Sequence, residues 1–247
     1  MSESTKKEKS KTKVVFGNIL FVIYVLFMLV TISTTSFIWY QKFYFKSYWV
    51  DGQSMWPTLN AFARDSSGNL YNEKKGSVFG ATDIDYVIGD LSDSVIDKAK
   101  RFDIIVCKYS DDDTRVKIKR VIALPGETFF IDSTGIGKEG NGTLHILNQD
   151  TKKYEIVEQP IDQKIIEGGD YLTTFTDLSK PYTLKSDEYF VMGDNRANST
   201  DSRSAGPIKR RNIESKIIAL VGRCSIGGTI TDLQAEHINY FWPEFYK

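Results

Sequence analysis

Residues 103–124, DIIVCKYSDDDTRVKIKRVIAL, decide the fold. Two β-prone runs, 103–109 and 115–124, flank Ser110, Asp111, Asp112, Asp113 and Thr114, a cluster of turn formers whose like charges favour solvent. The pattern predicts an antiparallel hairpin with an acidic tip. In the second run a side-chain period of two places Val116 and Ile118 on one face and Lys117, Lys119, Val121 and Ala123 on the other. Lys119 is thereby set among apolar neighbours, and the run stops at the turn signal Pro125-Gly126.

Outward from the hairpin, β-prone pieces recur at 128–131, 143–147, 153–157, 171–175, 188–192 and 216–221. One short helix is predicted over 92–100, capped by Ser92 or Asp93, with Lys98 and Lys100 at its negative end. Residues 60–101 are rich in Gly, Ser, Asp and Asn and read mostly as a loop-rich insertion. No internal repeat is present. The expected fold is mainly β, a curved antiparallel β-sheet domain.

Upstream, no charged residue occurs between Lys13 and Lys42, and 14–32 is an apolar run of nineteen residues. As a helix it would span about 28 Å, close to the hydrocarbon core of a bilayer. A cleaved secretory signal shares the basic start, and Ser33, Thr34, Thr35 and Ser36 imitate a cleavage site, but its apolar region would be only about 7–15 residues long. Length therefore favours an uncleaved transmembrane helix over 14–36, behind a basic tail over 1–13. Phe37, Trp39, Tyr40, Phe43, Tyr44 and Phe45 with Lys42 suit the headgroup layer. Lys6, Lys7, Lys9, Lys11 and Lys13 precede the helix, whereas Lys42 and Lys46 follow it. That imbalance predicts a cytoplasmic N-terminus and an extracellular domain over 37–247 in the cell membrane.

With 32 basic and 32 acidic residues the chain has no excess charge to bind nucleic acid. Cys107 and Cys224 lie far apart with no CxxC spacing and read as two buried thiols before a disulfide. His145 and His237, 92 positions apart, have no ligand partners at metal spacing, so neither a metal nor a cofactor is expected.

Two scattered histidines make a Ser-His-Asp triad hard to assemble, and a Ser-Lys pair is the alternative. Such a lysine must be neutral, which burial away from carboxylates achieves. Three segments supply the parts. In VDGQSMWPTL, residues 50–59, Ser54 follows a glycine-containing turn and precedes Pro57. In KIKRVIALPGE, residues 117–127, Lys119 and Lys117 share a strand face. In GDNRANSTDSR, residues 193–203, a polar loop follows an apolar strand and holds complementary Asp and Arg side chains, with Ser199, Ser202 and Ser204 at hand.

At these residues the chain resembles the type I signal peptidases, in the single-anchor form of Gram-positive bacteria. Ser54-Met55-Trp56-Pro57-Thr58 matches SMxPT, Lys119 through Glu127 matches KRVxxLPGE, and Gly193 through Arg203 matches GDNRxxSxDSR. The resemblance implies Ser54 as nucleophile, Lys119 as general base in preference to Lys117, and Ser199 as the group that orients the base. It implies the Ser54 N–H as one oxyanion donor. Gly52 stands where some members carry a Ser or Thr donor, so a second donor would come from backbone. Asp194, Asn195, Arg196, Asp201 and Arg203 would support the site structurally, with Asp201 and Arg203 as an ion pair. Met55 and Pro57 would wall a pocket for small residues.

Implied partners are the signal peptides of exported preproteins, cut after small residues, and the lipid bilayer. The 65 positions between Ser54 and Lys119 exceed the short link expected of the family. One alternative is a catalytically idle relative serving as a scaffold for surface or pilus assembly. Another, a self-cleaving repressor with Ser-Lys chemistry, fits poorly with an anchor and no helix-turn-helix.

Overall fold

The computed structural model describes residues 3–64, 67–70, 83–133, 141–169, 171, 180–224 and 238–245. Contacts divide the chain into two units, Met1–Tyr44 and Phe45–Lys247. The first is a single helix, α1 (Glu3–Tyr44), whose stretch Phe16–Tyr44 is long and apolar enough to cross a membrane. The large apolar side chains of that stretch are exposed, Phe16, Phe21, Trp39 and Phe43 among them. The helix runs on past 14–36 because the polar run does not break it. Thr31, Thr34 and Thr35 donate their hydroxyls back to carbonyls three or four residues earlier, so these three need no other partner.

The second unit follows in the order β1 (Phe45–Trp49), β2 (Ile84–Asp90), α2 (Asp93–Ile96), β3 (Ile104–Cys107), β4 (Lys117–Ala123), β5 (Thr128–Ile131), β6 (Leu144–Leu147), β7 (Tyr154–Val157), α3 (Gln163–Glu167), β8 (Tyr182–Thr183), β9 (Glu188–Met192), α4 (Ser202–Ala205), β10 (Ile208–Lys209), β11 (Ile213–Cys224) and β12 (Ile238–Phe245). The larger sheet runs β1-β2-β11-β3-β4-β9-β10 with β12 also on β11, and the smaller runs β7-β6-β5-β8. Every pairing is antiparallel. Register breaks along β11, between Ile217 and Ala219 and between Leu220 and Gly222, bend it and curl the larger sheet.

The hairpin β3–β4 sits inside this sheet, and all four residues of β3 are buried. Ile104 and Val106 join Tyr48, Met55, Leu59 and Ile217 in one core, while Ile105 and Cys107 join Val121, Val191 and Ile213 in another. Burial on both faces is why this strand reads as an unbroken apolar run. A third core, including Ile122, Phe129, Leu144 and Phe190, joins β4 and β9 to the smaller sheet. Cys107 is a free buried thiol, and burial pushes it up to about 12.

Several expectations need correction. The stretch read as a loop-rich insertion over 60–101 contains β2, which lies between β1 and β11. Its sequence, IDYVIGD, carries two Asp and a Gly that weaken the strand signal. Gly89 is nonetheless required there, since a side chain would strike Ser215 and Tyr48. The helix predicted over 92–100 is the single turn α2, and Ser92 makes no side-chain cap. Tyr48, beyond the stretch 37–45 read as suiting the headgroup layer, packs into a core, and β1 already begins at Phe45. Residues 172–175 of the predicted strand 171–175 lie outside the described residues.

Candidate active site

Three segments distant in sequence meet through hydrogen bonds. The turn that carries Ser54 leads off β1, and its Ser54 carbonyl accepts the Asn195 N–H at 3.1 Å from the loop after β9. Gly193 lets that loop come close, since a side chain there would strike the Ser54 carbonyl and Ser199. From β4, Lys119 reaches in, and its Nζ lies 2.7 Å from Ser54 Oγ, with a second bond of 3.0 Å to the Ile118 carbonyl.

Lys119 is 3% exposed. Burial pushes its amine below the ordinary lysine range, and it prevails over Asp201 and Asp194, whose charges favour the ammonium form. Lys117, on the same strand face, is different: it is partly exposed, and its Nζ pairs with Asp113 at 3.2 Å. Of the two lysines, Lys119 is the one bonded to the Ser54 hydroxyl.

Ser199 Oγ is buried and, although near the Asp201 carboxylate, makes no well-formed hydrogen bond. The expected bond from Ser199 to the lysine is therefore not formed in this structure, where the Ile118 carbonyl takes that place. The neighbouring serines are engaged elsewhere: Ser202 Oγ accepts the Val191 N–H, and Ser204 Oγ donates to the Asp201 carbonyl.

Ion pairs hold these pieces. Asp194 is fully buried and takes Arg120 Nε at 2.8 Å and Nη2 at 2.6 Å, while Thr58 Oγ1 donates to it at 2.5 Å. One carboxylate thus links all three segments, through the residue after Lys119 and the last residue of SMWPT. Arg120 and Thr58 both stand inside the quoted motifs, but their partner Asp194 lies far away in sequence. Asp201 and Arg203 form a second bidentate pair, with contacts of 2.8 Å. Burial raises the Asp201 carboxyl, but the Arg203 bonds and charge and the Gly193 N–H outweigh it and hold the group below the usual carboxylate range. Arg196 is buried and donates to the Gly193 carbonyl and to Gln159, and its own carbonyl accepts Arg203.

Ser54 and Lys119 open onto a cleft of about 530 Å³, whose walls include Trp49, Gly52, Met55, Val116 and Ile118. Met55 serves both the cleft and the core beneath it. Pro57, expected to wall the same pocket, does not line it. Two further residues escaped the sequence reading because they lie in the stretch taken as insertion: Asn60 and Asp85, both buried and bonded to each other. Among the described residues no group of three His, Cys, Asp or Glu side chains is placed to hold a metal.

A lysine whose pKa is lowered by burial has a consequence for stability. Above about pH 10.4 both folded and unfolded chains hold the amine uncharged. As pH falls, the unfolded chain takes a proton that the folded chain declines, so stability drops until the lowered folded pKa is reached. Lys119→Met should therefore raise the thermal midpoint of the detergent-solubilised protein at pH 7, with the gain shrinking toward pH 10. A difference independent of pH between 7 and 10 would count against a neutral amine.

Residues 19–221 match the family described as "Signal peptidase, peptidase S26". The chain is 32% identical over 178 residues to signal peptidase I of Bacillus caldolyticus, covering 71% of this chain and 78% of that one. It is 27% identical over 203 residues to signal peptidase I T of Bacillus subtilis strain 168, covering 82% and 81%. A signal peptidase I crystal structure from Enterococcus faecalis V583 is 26% identical and covers 48% of this chain and 96% of that one. Its TM-score of 0.34 is too low to support a comparison of folds.

Proposed function

Since the chain belongs to the signal peptidase family, peptidase S26, and is a peptidase that cleaves signal peptides, we propose that it does so with a Ser54-Lys119 dyad at the outer face of the membrane. The observation that carries this reading is the 2.7 Å contact between a buried lysine amine and the Ser54 hydroxyl on the wall of the cleft.

In this mechanism the preprotein lies in the cleft with its scissile carbonyl over Ser54. Lys119 takes the hydroxyl proton as Ser54 Oγ bonds to the carbonyl carbon, and the Ser54 N–H and a second backbone donor at Gly52 hold the oxygen that becomes negative. Collapse breaks the C–N bond, and the proton on Lys119 passes to the departing amine, which is the N-terminus of the mature protein. Water then attacks the acyl-enzyme and gives its proton to Lys119, and hydrolysis returns Ser54 to the hydroxyl form. The Arg120–Asp194 and Asp201–Arg203 pairs hold the elements without touching the reacting atoms. Ser199, buried beside the site, is the group that completes the lysine's orientation when substrate is bound.

Anchoring through α1 supports the same reading, because a signal peptide is itself held in the bilayer and must meet the dyad close to the membrane surface. The lysine excess before the apolar stretch supports a cytoplasmic N-terminus and an external catalytic unit. The direct trial is incubation of the detergent-solubilised full chain with a preprotein. Cleavage after a small residue, lost in Ser54→Ala and in Lys119→Ala, is expected. Cleavage that persists in either variant would contradict the dyad, and none in the wild type would favour the idle scaffold.

A pH dependence follows from the same amine. Protonated Lys119 cannot act as base, so kcat/KM should rise with pH through the lowered lysine pKa and level off above it. The free hydroxyl imposes no acid limb of its own. A profile that falls above neutrality, with no ascending limb, would contradict a lysine base.

A further inference from the structure

Two asparagines grip the carbonyls of the nucleophile turn. Asn60 Nδ2 donates to the Val50 carbonyl at 2.6 Å and to the Gly52 carbonyl at 3.0 Å. Asn195 donates from Nδ2 to the Gln53 carbonyl at 3.1 Å and from its N–H to the Ser54 carbonyl at 3.1 Å.

The Asn60 amide is itself fixed from behind. Its Oδ1 accepts the Asp85 N–H at 2.9 Å, and the Asp85 carboxylate accepts the Asn60 N–H at 2.7 Å and Arg223 Nε at 2.9 Å. Only one orientation of the amide satisfies this set. Turned over, it would face an N–H with its own donor and two carbonyls with its oxygen. Asn60 is 1% exposed and has a φ of 59°, a left-handed conformation that Asn tolerates better than most residues. A buried side chain held by a strand on one side and spending its donors on two carbonyls of a catalytic turn does more than fill space.

Between the two gripped carbonyls lies the Asp51–Gly52 peptide, and both of its residues line the cleft beside Ser54. Among the described residues the Gly52 and Ser54 N–H groups donate to no internal acceptor. We propose that Asn60 is a positioning residue for the oxyanion site. By holding the Val50 and Gly52 carbonyls, it fixes the peptide between them so that the Gly52 N–H joins the Ser54 N–H against the negative oxygen. Asp85 is the group that keeps the amide turned the right way. This inference rests on the assignment of Ser54 as nucleophile.

The test compares transition-state with ground-state binding in the full-length protein in detergent. Asn60→Asp keeps the shape and replaces the donor with an oxygen facing two carbonyls, and Asn60→Gly keeps the left-handed backbone and drops the amide. Loss of an oxyanion donor costs about 100- to 1,000-fold in kcat, and misplacing one should cost roughly 10- to 100-fold. The expected result is that fall in kcat with KM changed less than about threefold. A peptide boronate, which forms a tetrahedral anionic adduct on a serine, should weaken by a similar factor. Uncleaved signal peptide should bind the Ser54→Ala protein with or without Asn60→Asp equally, within about twofold.

Boronate and ground-state peptide weakening in parallel would overturn the proposal in favour of a structural role, as would failure of both variants to fold. Unchanged kcat would overturn it as well. A wild type that binds boronate no better than Ser54→Ala would instead remove the nucleophile assignment, and this inference with it.

Discussion

Lys119→Met should lower kcat for signal-peptide cleavage by at least about a thousandfold, with KM changed by no more than a few fold. Methionine has nearly the length of lysine and suits a buried site, so the substitution removes the base without emptying the core. Ser54→Ala should cost as much or more, because it removes the group that bonds to the substrate. The double variant should be no slower than the worse of the two singles, since a nucleophile and its base act as a unit and their losses do not add. The measurement is conversion of a radiolabelled preprotein by full-length protein in detergent, followed over a concentration range that brackets KM. Lys119→Met retaining a tenth of the wild-type rate would sink the assignment of the base.

The second large effect is on stability. Asp194→Leu leaves the Arg120 guanidinium buried without its carboxylate, and removing one partner of a buried pair costs about 3–5 kcal/mol. For a unit of this size, that is a fall of roughly 10 °C in thermal midpoint. Activity should fall with it even below the midpoint, because the same carboxylate ties the turn of Ser54 and the strand of Lys119 to the loop of Ser199. Adding Arg120→Met to Asp194→Leu should recover part of the loss, since an apolar pair needs no compensating charge. Arg211→Ala breaks a pair whose members are 63% and 58% exposed, and it should shift stability by less than about 0.5 kcal/mol. Equal effects at the two pairs would show that burial does not set the strength of the inner one.

What was legible in the sequence follows from how each signal is written. The hairpin of β3 and β4 showed itself because an apolar run, a charged turn and an alternating run leave little else to form. The three segments that meet around Ser54 and Lys119 were legible for a different reason: each is a short string of residue types with restricted spacing. β2 was not legible. Its alternation is interrupted by Asp85, Gly89 and Asp90, and for the first two the reason is tertiary: Asp85 binds Asn60 and Arg223, and Gly89 makes room for Ser215 and Tyr48. Asn60 was hidden likewise, because Asn next to a turn reads as a turn former until its amide is seen to hold two carbonyls. The helix α1 continues to Tyr44 past the run of hydroxyl side chains, where Thr34 and Thr35 bond to the helix's own carbonyls.

Ser199 marks the remaining distance between pattern and geometry. Its place in the third segment was readable, but a hydroxyl's hydrogen bond depends on ångström-scale placement of a loop, which spacing in a sequence does not encode.

The most direct measurement is the titration of Lys119 itself, by carbon NMR of ε-labelled lysines in the full-length protein in detergent, with its signal identified by loss in Lys119→Met. A midpoint well below the ordinary value of about 10.4 is predicted, rising when Ser54→Asp sets a carboxylate beside the amine. An amine that stays protonated up to or beyond pH 10.4 could not draw a proton from serine near neutrality, and the proposed mechanism would be wrong.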